Sequence, residues 1–161
     1  PSWWFSGRAT TCGYYEHLAT GESRSLYPSN EPTPVLTTLL QELNPELVIV
    51  ELGANLMGAS LDHAETTTRQ MVDAIQAAGS RCIWVGPPHG RGRPEPQFSN
   101  LYDRLRTTVS PYCESFIDSR PMAHYPAVGG DGIHYDHLGP PGRAIARAWA
   151  QSVFELIQPR W

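Results

Sequence analysis

The 161-residue sequence predicts an α/β fold built on a parallel sheet, and three observations lead there. Leu47 to Leu52 and Cys82 to Gly86 are short apolar runs, each closed by glycine or proline, as expected of strands buried on both faces. Segments with apolar residues at helical spacing separate and follow them. Ser115 to Asp118 adds a third, shorter strand. Strands alternating with helices of this length imply right-handed βαβ units, with helices on both faces of the sheet.

Taken in order, residues 1–32 are aromatic and turn-rich, with Gly7, Gly13, Gly21 and Pro28, and show no period. Thr33-Pro34 is a good helix start, because threonine caps and proline needs no N–H partner there. The helix runs from Val35 to Leu43 and stops at Asn44-Pro45. After the strand at 47–52, a helix is expected from about Ala64 to Ala78, ending at Gly79. The strand at Cys82–Gly86 leads into Pro87-Pro88 and an irregular basic loop from His89 to Gln97. A helix from Phe98 to Val109 follows, stopped by Pro111. The last helix begins at Pro140-Pro141 and runs to Ile157, with Ala144, Ala148, Val153 and Leu156 expected on its apolar face. The whole reads as one domain, 1–161, with no repeat or linker. Three strands make a thin parallel sheet, so further strands are expected upstream of Pro1 or on another chain.

Composition excludes some functions. The formal net charge is −4, and all twelve basic residues are arginines with no long run, which leaves no footprint for nucleic acid. No apolar stretch approaches the ~20 residues of a membrane span. Cys12, Cys82 and Cys113 are an odd set. Cys82 and Cys113 flank successive strands and could bridge, leaving Cys12 to pair upstream in an oxidising compartment, periplasmic or secreted. Three reduced, buried thiols fit the sequence equally well.

Two loops carry chemistry, both beyond the carboxyl ends of strands, where parallel sheets bind ligands. In Gly53-Ala54-Asn55 the glycine lets the chain turn sharply, and the Asn55 amide can donate to an oxyanion without bringing a charge. The alternative is an Asx turn, with Asn55 bonded to its own backbone. Asp131-Gly132-Ile133-His134 puts a carboxylate within reach of an imidazole; the bond would fix the tautomer and leave the other nitrogen as general base. Here the alternative is that both residues cap the following helix. Asp131, His134, Asp136 and His137 could also ligate a metal, but the spacing lacks the familiar zinc patterns, so no metal or cofactor is expected. Trp3 and Trp4 could wall a carbohydrate or acyl pocket, and His89, after a strand's carboxyl end, could approach that pocket or simply be exposed.

The strand followed by Gly53-Ala54-Asn55, with Asp131-Gly132-Ile133-His134 before the last helix, resembles SGNH/GDSL hydrolases over about residues 35–160. The resemblance implies a three-layer, flavodoxin-like sandwich and an ester hydrolase with His134 as base, Asp131 as its partner, and Gly53 and Asn55 in the oxyanion hole. Leu56 stands where that family's block usually has Asp. The family's Gly-Asp-Ser block is missing; Gly21-Glu22-Ser23 is the nearest string and has no apolar strand before it. The nucleophile is therefore expected from an N-terminal segment of the same protein that is not in this chain. The expected substrate is a small-molecule or carbohydrate ester, with acetyl on sugar as the leading case. An O-acyltransferase using the same residues, or an inactive polysaccharide-binding domain, are the alternatives.

Overall fold

A computed structural model describes residues 14–17, 22–25 and 36–160, and the chain divides into two compact units, 1–45 and 46–161. In the first unit, β1 (Tyr14–His17) and β2 (Glu22–Ser25) form an antiparallel pair with Tyr14 opposite Ser25 and His17 opposite Glu22. The sequence reading placed no strand there. The pairing puts Ser23 inside a strand, not on the strand-to-helix turn a nucleophile needs. Helix α1 (Leu36–Leu43) follows the expected period, with Leu40 buried. The expected cap at Thr33-Pro34 lies outside the described residues.

The second unit is the α/β part. Strands β3 (Leu47–Glu51), β4 (Arg81–Val85) and β5 (Ser115–Ile117) form a three-stranded parallel sheet with β4 in the centre. Helices α2 (Leu61–Ala77) and α3 (Gln97–Val109) connect them, and α4 (Pro140–Ile157) comes last. Helix α2 begins three residues before the sequence reading had it, because Ser60 caps it, its hydroxyl accepting the His63 N–H at 3.2 Å.

Registers set the two faces. Ile83, Val85 and Ile117 pack with Val153 and Ile157 of α4 in one buried cluster, with Leu47 and Trp149 against it. On the other face the Phe116 ring meets Tyr102 of α3 edge-on at 5.5 Å. Central β4 is buried on both faces from Cys82 to Val85, as expected. β3 departs from the expectation: Val48 and Val50 are buried, but Ile49 is 44% exposed. Among the described residues it is an edge strand, and α4 covers its neighbours instead.

The face of α4 also differs. Gly142, Val153 and Ile157 are buried, whereas Ala144, Ala148 and Leu156 are exposed. The stripe runs through Trp149, one position away from the alanines that suggested it. Cys82 and Cys113 form a disulfide with Cα atoms 4.6 Å apart, linking the start of β4 to the residue before the β5 approach. Cys12 lies outside the described residues.

Candidate active site

Everything at the carboxyl edge of the sheet hangs on the exit from β4. Gly86 leaves the strand donating to the Ile117 carbonyl at 3.0 Å, and its own carbonyl accepts the Ser119 hydroxyl at 2.6 Å. The buried Tyr102 hydroxyl donates to the Pro87 carbonyl at 3.0 Å and accepts the Ser119 N–H at 3.2 Å. A side chain at Gly86 would overlap that phenol. These bonds lock the exits of β4 and β5 together and fix where Pro87-Pro88-His89 begins.

The basic loop then becomes a scaffold. Arg91 donates to the Ala127 and Gly129 carbonyls at 3.0 and 2.7 Å, and Gly92 donates to the Gly132 carbonyl at 3.0 Å. Arg93, buried, bonds the Pro88 carbonyl. The Tyr135 hydroxyl donates to the His89 carbonyl at 2.6 Å, and the Tyr125 N–H donates to His89 Nδ1 at 3.2 Å. Gly132, at φ +85°, approaches Gly92 so closely that a Cβ would meet its backbone nitrogen at 2.9 Å.

Held in this way, the Asp131 loop makes the bond that its spacing suggested. His134 Nδ1 lies 2.6 Å from Asp131 Oδ2. Asp131 Oδ1 accepts the backbone N–H groups of Ile133 and His134 at 2.9 and 2.8 Å. The His134 hydrogen bond, then those two amides, hold the Asp131 carboxyl far below the usual carboxylate range. An ionised carboxylate facing Nδ1 puts the ring proton there, so Nε2 carries the free lone pair. Among the described residues Nε2 has no hydrogen-bond partner, and the His134 side chain is 60% exposed. Neither residue caps the last helix: α4 starts after Gly139 with no side-chain cap.

The sequence reading missed one neighbour. His137 Nδ1 lies 2.9 Å from the same Asp131 Oδ2, so one oxygen meets two imidazoles. It counted His137 only as a possible ligand, because a loop carries no period from which to place it.

The other candidates fall as follows. Gly53 is buried at φ +131° after β3, facing Pro87 and Leu105, so its turn abuts the chain that leads into the scaffold loop. Asn55 lies in a 3-10 turn, Ala54–Leu56, and its side chain is outside what is described. His89 is half-buried beside His124, at 5.5 Å between rings. Burial, then His124 and Arg93, lower its pKa, and its Nδ1 accepts the Tyr125 N–H. Trp3 and Trp4 lie outside the described residues. Among the described residues, no helix is long and apolar enough to cross a membrane. No family model matches the chain, and neither a curated protein nor a solved structure shows detectable similarity to it.

Proposed function

We propose that the chain carries the acid–base half of a serine ester hydrolase of the SGNH/GDSL type. One observation carries this reading: the 2.6 Å Asp131–His134 bond on a loop braced from three sides, with Nε2 of His134 left open to solvent. In the proposed reaction His134 Nε2 takes the proton of a serine hydroxyl as the oxygen attacks the ester carbonyl. The imidazolium, stabilised by Asp131, returns the proton to the leaving alcohol, and the acyl-enzyme is released by water activated at the same nitrogen. The serine belongs to an N-terminal piece of the protein outside this chain, with Asn55 and Gly53 at the oxyanion. Strands supplied by that piece would complete the flavodoxin-like sheet. Small acyl esters of carbohydrate are the proposed substrates. The Cys82–Cys113 disulfide supports a periplasmic or secreted setting.

The test is p-nitrophenyl acetate hydrolysis by the natively purified protein with everything that copurifies, set against His134→Ala. Loss of about six orders of magnitude in kcat is expected, the size that follows removal of a triad's base. A fluorophosphonate probe should label a serine outside residues 1–161, located by peptide mass spectrometry. Equal rates in wild type and variant, with no labelled serine, would overturn the reading.

A further inference from the structure

Two imidazole nitrogens aimed at one carboxylate oxygen pose a chemical problem. A nitrogen lone pair facing an anionic oxygen repels it, so each gap must hold a positive centre, either a proton or a shared cation. His134 Nδ1 and His137 Nδ1 stand 2.6 and 2.9 Å from Asp131 Oδ2, and one ligand atom from each of the three residues lies within 4.8 Å of the others. Asp131 Oδ1 is committed to two backbone amides, which dedicates Oδ2 to this cluster. We propose that Asp131, His134 and His137 form a binding site for a zinc-like divalent cation, which replaces both ring protons.

Two imidazoles and one carboxylate are a donor set that suits zinc, and a fourth position would stay open to water. Zinc–ligand bonds of about 2.0–2.2 Å place tetrahedral neighbours roughly 3.3 Å apart, so the rings must withdraw from the carboxylate by only about half an ångström. All three side chains are solvent-accessible, at 34%, 60% and 53%, so the ion needs no opening of the fold to enter. The loop that carries them is fixed by Arg91, Gly92 and Tyr125 and does not have to be organised by the metal.

One consequence rests on the ester-hydrolase reading. A cation on His134 Nδ1 severs the bond that orients the base, so zinc and catalysis exclude each other at this dyad. Zinc would act as a reversible inhibitor, relieved by chelation.

The experiment is calorimetric titration of untagged protein with zinc chloride at pH 7.5, repeated on His134→Ala, His137→Ala and His124→Ala. One zinc per chain, bound at least tenfold more weakly after loss of His134 or His137 and unchanged after loss of His124, is the expected result. Absence of uptake, uptake indifferent to His137, or uptake lost with His124 would each overturn the site. Circular dichroism confirms that the exposed His137 variant stays folded. Esterase rates with zinc and then with chelator test the consequence separately: full activity at saturating zinc refutes it. If His134-dependent hydrolysis is lacking altogether, the hydrolase reading falls with that consequence, and the calorimetry still decides the site.

Discussion

Replacing Tyr102 by Phe deletes one oxygen atom from the junction on which the site depends. The ring stays the same size, so no cavity opens around Phe98 and Phe116, its edge-on neighbours. What is lost is a pair of hydrogen bonds, 3.0 Å to the Pro87 carbonyl and 3.2 Å from the Ser119 N–H, with Pro87 buried and Ser119 fully enclosed. At about 1 kcal/mol net each, plus the cost of burying two unpaired backbone groups, the variant should be less stable by about 2–3 kcal/mol. The phenol also predicts an alkaline signature, since burial pushes its pKa up to about 12. Its unfolded value is near 10, so the unfolded chain ionises first. The stability the neutral phenol contributes is complete below pH 10 and is lost as pH rises towards 12, by about 2.7 kcal/mol across those two units. The Phe variant has no such loss, so the gap between the two proteins should narrow above pH 10. Urea melts at pH 7.5 and 11 measure both effects. A gap below 0.5 kcal/mol at neutral pH, or one that widens on alkalinisation, would refute the reasoning.

The disulfide closes a loop of 31 residues' separation, so Cys82→Ala/Cys113→Ala should cost about 3–4 kcal/mol by the chain-entropy relation. A calorimetric melt should show the transition lowered by roughly 6–16 °C, and dithiothreitol should produce the same shift in wild type. Gly142 is buried in α4, and a Cβ there would overlap the Tyr135 carbonyl oxygen. Gly142→Ala is expected to destabilise by about 1–3 kcal/mol and to displace the 135–138 turn, seen as shifted His134 and His137 ring resonances in NMR spectra.

The sheet and its helices were largely legible because burial imposes a period. Val48, Val50, Ile83 and Val85 announce strands, and α3 runs within a residue of its expected bounds because Phe98, Leu101, Tyr102 and Leu105 repeat on one face. The β1–β2 pair was invisible since Tyr14-Tyr15-Glu16-His17 and Glu22-Ser23-Arg24-Ser25 show no apolar–polar alternation to read. Ile49 was misjudged because an edge strand and a central strand carry the same residue types. At the site, Asp131 and His134 could be found from spacing alone. The Arg91 clamp could not, because it acts on carbonyls 36 and 38 residues away, and every residue offers a carbonyl. His137 sits in a 3-10 turn, where three-residue spacing returns a side chain to the same side, a regularity too brief to notice.

The Asp131 carboxylate divides its labour, one oxygen holding the loop's amides and the other facing the imidazoles. An asparagine there can keep the first task, with its carbonyl oxygen on the amides, while its NH2 must face His134. That reverses the imidazole: Nδ1 becomes an acceptor, and the proton moves to the outward nitrogen. Asp131→Asn is therefore expected to yield a chain with an intact loop and an inverted base. If the proposed ester-hydrolase reading holds, such a protein would retain an ester it cannot turn over, which makes it the form in which to trap a substrate for crystallography.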